Sequence, residues 1–278
     1  MTALTPTTLK RPALYGALIL CALLTVLPFA WGVSGSLRGL DEIRSDPGAL
    51  LPHHPTLGNF TRLFETQGFG RFALNSLVVA AMVVAGNIAA ASAAGYALAK
   101  LDFAGRRLAF GTVMAALMVP FTAVFVTQFV ITVDLGLADT LAGIALPGAA
   151  LPMSVFIMRQ YALSVPDELL EAARIDGAGE FRIFFGIFLP LAGPAVATIT
   201  IMSFLTSWNN FVWPLIVAQS MSTYTLPVGL AATSQAAAHV TDYGLLLAGA
   251  IVVMLPVLVL FLCLQRYFVQ GIAGTGMR

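Results

Sequence analysis

Six uncharged stretches, the shortest of 19 residues, divide this chain. A helix needs about 20 apolar residues to cross the hydrocarbon core of a membrane. Because only 10% of all residues are charged, against roughly a quarter in soluble domains, most of the chain belongs in lipid. We therefore predict an all-α membrane protein with six transmembrane helices, at residues 12–37, 72–99, 108–133, 140–158, 191–218 and 243–265.

The basic residues indicate which ends of these spans face the cytoplasm. One side of the predicted membrane carries Lys10, Arg11, Lys100, Arg106, Arg107, Arg159, Arg174, Arg182, Arg266 and Arg278. The other side carries only Arg38, Arg44, Arg62 and Arg71, all within one long first loop. The positive-inside rule therefore places both termini in the cytoplasm. The first span could be a signal peptide, but its uninterrupted length and the lack of a small-residue cleavage site favour a retained anchor.

This topology predicts three parts of the chain. Residues 1–71 form an N-terminal tail, the first span and the long external loop. Residues 72–266 form the transmembrane core, with a cytoplasmic loop at 164–190, and residues 267–278 form a cytoplasmic tail.

The cysteines and histidines indicate no metal site and no disulfide. Cys21 and Cys263 lie within apolar stretches, without a CxxC pair or a neighbouring histidine, and we interpret both as small buried hydrophobic residues. His53, His54 and His239 lie in predicted external loops without carboxylate or cysteine neighbours. A net charge of +1 also argues against a nucleic-acid partner.

The chain carries no sequence pattern for hydrolysing ATP or for catalysis. A phosphate-binding loop requires GxxxxGK[ST], and neither Lys10 nor Lys100 ends such a run. The spans contain no paired ionisable groups, which acid/base catalysis or a proton relay would need. We therefore predict no catalytic residue and no bound cofactor.

An unusual group of charges lies in the loop at 164–190. The segment "SVPDELLEAARIDG" predicts a helix with Ser164 as its N-cap and Gly177 as a left-handed C-cap. Its residues Leu169, Ala172, Ala173 and Asp176 share one face. This face is narrow and built of small residues, so another surface can approach it closely. Gly177 would then be a hinge between two short helices, which together form a lever for another protein. The alternative is an amphipathic helix that lies on the membrane surface.

Polar, uncharged side chains inside the spans are candidates for contact with a transported solute. The third span carries Gln128, and the fifth carries Thr206, Ser207, Asn209 and Asn210. Such groups can pair with the polar groups of a solute, but polar residues also bind helix to helix in membranes.

Neighbouring residues on a helix point about 100° apart, so Asn209 and Asn210 cannot both face one cavity centrally. Asn210 shares the more polar stripe, with Ser203, Ser207 and Pro214, and we therefore favour Asn210 over Asn209 as the pathway residue.

The cytoplasmic loop resembles a known motif. The EAA loop of ABC-importer permeases is similar to the segment "ELLEAARIDGAGEFRIFFGIFLPLAGP" of this chain. In that loop, EAA is followed by a glycine, and the motif ends with a hydrophobic residue, Leu and Pro. The resemblance extends over nearly the whole chain to the sugar-importer branch, the smaller subunit of maltose-type permeases. The matching segments include "NSLVVA", "GYALAKLDFAGR", "LGLADTLAGIALP", "SWNNFVWPLIV" and "LQRYFVQGIAGTGMR".

The resemblance implies the type I ABC-importer permease fold in a bacterial or archaeal inner membrane. It also implies that a cytoplasmic ATPase binds the residues Glu171, Ala172, Ala173, Asp176 and Gly177. The implied partners are a second related permease, two ATPase subunits that bind ATP and magnesium, and an external solute-binding protein. That protein would meet the loop at 219–242, through "SQAAAHVTDYG".

The sequence departs from the family at "FTAVFVTQF", where relatives often have a proline near Thr127 or Gln128, and this leaves the shape of the third span open. The sugar also stays open. The alternatives are the same machinery with a phosphorylated polyol such as glycerol phosphate, or a channel or membrane enzyme, for which an EAA loop serves no purpose.

Overall fold

The computed structural model describes residues 6–236 and 242–273, with side chains described at 14–234 and 242–263. The described residues form helices and connecting turns, without a strand. The helices are α1 (Pro6–Ser36), α2 (Leu40–Ser45), α3 (Gly58–Thr66), α4 (Phe69–Lys100), α5 (Arg106–Met118), α6 (Phe121–Asp134), α7 (Leu141–Ala145), α8 (Pro152–Ser164), α9 (Asp167–Ile175), α10 (Glu180–Ile183), α11 (Leu189–Leu191), α12 (Gly193–Trp208), α13 (Val212–Val217), α14 (Leu226–Ala236) and α15 (Tyr243–Ala273). A π-helical turn at Phe184–Phe188 joins α10 to α11.

Several predictions fall on residues outside this description. These are the interpretation of His239, the part of the proposed binding-protein contact at 237–241, and the last five residues of the C-terminal tail. The part of that tail that is described continues α15, which ends at Ala273 instead of at the predicted end of the sixth span.

Among the described residues, three of the six predicted spans are single apolar helices, Leu14–Ser36, Phe69–Lys100 and Tyr243–Cys263. The other three are pairs of helices with a bend between them, so the structure holds up to six spans if each pair crosses once. The bends measure 102° between α5 and α6, 45° between Leu141–Gly148 and α8, and 74° between Glu180–Leu191 and α12.

The third span is broken at a proline. Val119 is extended, with ψ at 118°, and Pro120 precedes the first residue of α6. Proline lacks an N–H and disfavours a helical residue before it, so a helix from 108 to 133 cannot run straight through this point.

The prediction of one helix from 191 to 218 is wrong. α12 ends at Trp208, and α13 starts only at Val212. Pro214 has no N–H for the carbonyl of residue 210, so it would interrupt a continuous helix, whereas in the first turn of α13 it is tolerated. Asn209 and Asn210 therefore lie in a break between two helices and not on a helix face.

The chain divides into two compact units, Met1–Phe69 with Leu230–Leu255, and Gly70–Gly229 with Pro256–Arg278. In the first unit, the predicted external loop contains α2 and α3, and the guanidinium of Arg38 is 1% exposed. Its Nε donates to Glu42 Oε1 at 3.1 Å, and its other nitrogens donate to the carbonyls of Glu42, Asp46 and Ala49. A charge buried in this way is tolerated because each of its three nitrogens donates to a partner.

The second unit packs its helices closely at small residues of α4. A Cβ at Gly86 would lie 2.6 Å from the carbonyl oxygen of Ala149, and one at Gly95 would lie 2.7 Å from the Met158 side chain. At both glycines the neighbouring segment therefore approaches α4 more closely than a larger side chain would allow. By contrast, Cys21 and Cys263 are exposed on this chain and not buried, because they lie on helix faces that no other described residue covers.

Candidate functional site

The segment from α9 to α10 is the first candidate site. Ser164 is not its N-cap, because Ser164 ends α8 and its Oγ donates to the carbonyl of Tyr161 at 2.7 Å. The C-terminal end is as predicted: Gly177 has φ at 80°, and the amides of Gly177 and Ala178 donate to the carbonyls of Arg174 and Ala173. This pair of bonds is a Schellman motif, which ends α9 and redirects the chain toward α10.

The residues predicted to meet an ATPase lie on the outer side of α9. Glu171, Ala172, Asp176 and Gly177 are exposed, and Ala173 is half-buried. Three large apolar side chains share this exposed segment: Leu169, Ile175 at 86% exposure and Phe181 at 83%. We call these eight residues the α9 surface. An exposed apolar patch with charges around it is typical of a protein-binding site.

The opposite side of α9 is fixed to the core of the second unit. Leu170 is 1% exposed and packs in one cluster with Met158, Ile183 and Phe188. α9 is therefore an amphipathic helix with one face buried in the bundle and the other uncovered.

The N-terminal end of α9 is held by Lys100, the last residue of α4. Its Nζ donates to Asp167 Oδ1 at 2.5 Å and to the carbonyl of Val165 at 2.6 Å, and its side chain is only 4% exposed. The hydrogen bond from Lys100 lowers the pKa of Asp167 below its ordinary value. α4 and α9 are thus joined at this point by a charged pair and a backbone bond.

A second connection joins α4 to the start of α10. The hydroxyl of Tyr96 donates to Glu180 Oε2 at 2.8 Å, and Arg174 Nε donates to Glu180 Oε1 at 2.7 Å. The Tyr96 ring is buried against Phe184 and Phe188, with centroids 5.3 and 4.8 Å away. The bond to Glu180 also raises the pKa of Arg174. No sequence pattern predicted the contact of Tyr96 with Glu180, since the two residues lie 84 positions apart.

The second candidate site is a cavity of about 890 Å³ in the second unit. All five side chains predicted for a solute pathway line it, namely Gln128, Thr206, Ser207, Asn209 and Asn210. α4 contributes Val79 and Val83, and aromatic residues missed by the sequence analysis, Phe121 and Phe211, line it as well. Within the part of the chain that the structure describes, no charged side chain lines this cavity.

The three amides in this cavity differ in how far they are already bonded. Asn209 Nδ2 donates to the carbonyl of Leu205, one turn back in α12, at 2.9 Å. Gln128 Oε1 is buried without a partner among the described residues, and the Asn210 side chain bonds to none of them. Asn209 and Asn210 lie between α12 and α13, so the faces of a helix do not separate them, but Asn210 stays our predicted pathway residue because its amide is available.

A hydrogen-bonded turn holds the cavity wall in place. Asp139 Oδ1 accepts from the amides of Gln219 and Ser220, at 2.9 and 3.0 Å, and from the hydroxyl of Thr223. These hydrogen bonds, that of Thr223 foremost, lower the pKa of Asp139 to about 2. Asp139 directly precedes the α7 region, whose Gly143 carbonyl accepts a bond from the buried Trp213 indole at 3.2 Å.

Residues 83–274 match the family described as "Binding-protein-dependent transport system inner membrane component". The chain belongs to this family. It is therefore an inner-membrane component of a transport system that works with a binding protein.

Curated relatives and one solved structure agree with this membership. The chain is 38% identical to the arabinooligosaccharides transport system permease protein AraQ of Halalkalibacterium halodurans, over 92% of each chain. It is 30% identical to the sn-glycerol-3-phosphate transport system permease protein UgpE of Pectobacterium atrosepticum, over 93% of this chain and 94% of the relative. A chain of a bacterial ABC transporter involved in the import of the acidic polysaccharide alginate superposes with a TM-score of 0.85 at 23% identity, covering 96% of this chain and 100% of that one. The fold is thus that of an ABC-importer permease.

Tyr96→Phe tests the bond between α4 and α10. The variant removes the hydroxyl donor but keeps the ring against Phe184 and Phe188. A hydrogen bond to a charged group is worth about 1.5–3 kcal/mol, and partial exposure of Glu180 reduces this to about 1 kcal/mol. We expect solute uptake by the assembled transporter to fall about fivefold, with normal membrane insertion. Tyr15→Phe, on an exposed face of α1, is the control, and undiminished uptake by Tyr96→Phe contradicts the role.

Asp139→Asn tests the turn beside the cavity. Asparagine tolerates the left-handed backbone of this position, where φ is 53°, but carries no charge. Because the folded-state pKa is depressed from 3.8 to about 2, the carboxylate stabilises the fold above pH 4 and loses this effect as the pH falls toward 2. Thermal unfolding in detergent should show a lower midpoint for the variant at pH 6, and the gap should close between pH 4 and 2. A gap that is constant with pH, or an equal effect from Asp134→Asn at an exposed position, argues against this assignment.

Proposed function

We propose that this chain is one permease subunit of an ATP-driven importer of neutral carbohydrates, and that the 890 Å³ cavity is part of its solute pathway. The observation that carries the proposal is the lining of this cavity, which combines uncharged amides and hydroxyls with aromatic rings. Sugars present many hydroxyls and apolar ring faces, and ligand sites for such molecules pair a few polar groups with apolar walls.

The lining favours a neutral sugar over a phosphorylated polyol. A phosphate monoester carries about −1.5 to −2 charges at pH 7, and an unpaired charge is expensive to remove from water. No cation among the described residues of this cavity offsets that cost. UgpE, named for glycerol phosphate, shows that the alternative exists among relatives. The name of AraQ agrees with the proposal.

The unpaired side-chain amides of Gln128 and Asn210 would form hydrogen bonds with the solute directly. Gln128 Oε1 can accept a bond from a sugar hydroxyl, and the Asn210 amide can donate one, since neither is bonded to a described residue. A buried amide without a partner is unfavourable, so passing hydroxyls or pathway water would supply what the protein lacks.

The α9 surface would bind the ATPase. The family works with a binding protein, and the finer composition that we propose is a second related permease, two ATPase subunits that bind ATP and magnesium, and an external solute-binding protein. Both termini and the α9 surface would then face the cytoplasm. Movement of the ATPase would reach the cavity through α4, because this single helix bears Lys100 and Tyr96 near one end and Val79 and Val83 in the cavity wall.

Glu171→Lys tests the α9 surface. Glu171 is exposed, so the change leaves the packing of α9 intact while placing a positive charge where we expect a basic partner residue. Breaking a desolvated charge pair costs about 3–5 kcal/mol, which corresponds to a loss of at least a hundredfold in association. Co-purification of the ATPase and solute uptake should both be lost. Glu65→Lys, exposed in α3, should behave like the wild type. Normal uptake by Glu171→Lys refutes the contact.

Asn210→Leu in the reconstituted transporter tests the cavity and the solute class together. With the binding protein present, ATP-dependent uptake of labelled neutral oligosaccharides and of sn-glycerol 3-phosphate is compared in proteoliposomes. We expect uptake of a neutral oligosaccharide only, reduced at least tenfold by Asn210→Leu and less by Asn209→Leu, whose amide is already bonded to its own helix. The assembled complex should survive. If Asn210→Leu dissociates the complex instead, the amide holds helices together, and uptake of glycerol phosphate alone overturns the neutral-sugar assignment.

A further inference from the structure

A second cavity, of about 660 Å³, lies at the turn between α4 and α5 and takes no part in the solute pathway proposed above. Its lining includes three guanidinium groups and one carboxylate, from Arg106, Arg107, Arg159 and Asp102, which leaves a net charge of +2. Clusters of this kind are uncommon in a chain with only 14 basic residues.

Two of these arginines are fixed without being neutralised. Arg106 donates to the carbonyls of Leu98 and Leu101, at 3.1 Å each, and so closes the end of α4. Arg159 lies 3.8 Å above the Phe110 ring, and its Nε donates to the Leu98 carbonyl at 3.4 Å. Backbone carbonyls and a ring hold the groups in position but leave their full charges in the cavity.

The remaining charges do not neutralise the cluster either. Asp102 is fully exposed and pairs with Arg106 only at 3.8 Å, an arrangement of little energetic weight. Arg107 is exposed and bonds to none of the described residues. α5 also begins here, after Gly105 with φ at 88°, and the positive end of its dipole adds to the potential. The site therefore suits a phosphate group.

Apolar side chains lie next to these arginines. Phe103, which lines the cavity, is 43% exposed, and Leu108, the neighbour of Arg107 in the chain, is 77% exposed. A free phosphate ion would gain nothing from these side chains, whereas a phospholipid would place its phosphate among the guanidinium groups and its acyl chains along α5. The cavity also lies at the end of α4 where Lys100 meets α9, which is the cytoplasmic end under the proposed function.

We propose that this cavity binds the phosphate of an anionic phospholipid from the cytoplasmic leaflet. Basic pockets between transmembrane helices on that side are suited to such headgroups, and each arginine near the surface contributes about a fivefold gain in affinity. The lipid would bridge the turn between α4 and α5 and the C-terminal half of α8, where Arg159 lies. The site is separate from the solute cavity, so its failure would leave the proposed function untouched.

Binding is tested on the full-length chain by native mass spectrometry and by thermal unfolding in detergent. The probes are phosphatidylglycerol, phosphatidylcholine and inorganic phosphate. We expect phosphatidylglycerol to be retained and to raise the unfolding midpoint, and the other two to do neither. A full effect of inorganic phosphate alone would identify a free-anion site and overturn the lipid assignment.

The variants separate this site from general attraction between a basic protein and an acidic lipid. Arg107→Gln should fold normally, because Arg107 has no contact to lose, and should weaken phosphatidylglycerol retention about fivefold. Arg159→Lys, which keeps the charge but loses the planar group above Phe110, should weaken it less. Arg71→Gln, an equal charge change at the opposite end of α4, is the control. Equal weakening by Arg71→Gln and Arg107→Gln, or no weakening by Arg107→Gln, refutes the proposal.

Discussion

The bond between Lys100 and Asp167 is the constraint on which the rest of the second unit depends. It joins the last residue of α4 to the first residue of α9, and the Tyr96–Glu180–Arg174 contacts repeat the connection one turn away. α4 is a single helix of 32 residues, and about 20 Å of it separates Tyr96 from Val83 in the cavity wall. If α9 binds the ATPase as proposed, a force on α9 would act on the wall of the proposed solute cavity without passing through a flexible loop.

The two cavities of the second unit differ in the charge of the side chains that line them. The larger one excludes charge from its lining and leaves amide groups of Gln128 and Asn210 unpaired, which suits a neutral solute that must enter and leave. The smaller one concentrates arginines that are fixed by carbonyls and a ring, which suits an anion that stays. Under the two proposals, one helix bundle would keep a transient ligand and a resident ligand apart through the charge of the side chains in each cavity.

Hydropathy and charge predicted much of this structure, because burial of apolar surface and exclusion of charge from lipid act on the sequence directly. Gly177 was also predictable, since a glycine directly after the end of a helix commonly takes the left-handed backbone observed here. The breaks at Pro120 and Asn209–Phe211 were not, because tertiary packing decides whether a proline bends a span or ends it. The partners of Tyr96 and Lys100 were not predictable either, since they lie 84 and 67 positions away and no local pattern records such pairs.

The central claim is that α9 and the adjoining end of α4 move as one body during transport. Spin labels at exposed positions Ala93 on α4 and Glu168 on α9, in a background without Cys21 and Cys263, allow the distance between the helices to be measured by pulsed electron resonance. In the assembled transporter, the mean distance between the labels should be the same without nucleotide and with ATP bound. The distribution of distances should broaden when Lys100 is replaced by Met. A change of several ångströms between the nucleotide states of the otherwise unaltered transporter would show that α9 moves independently of α4, and would contradict the account.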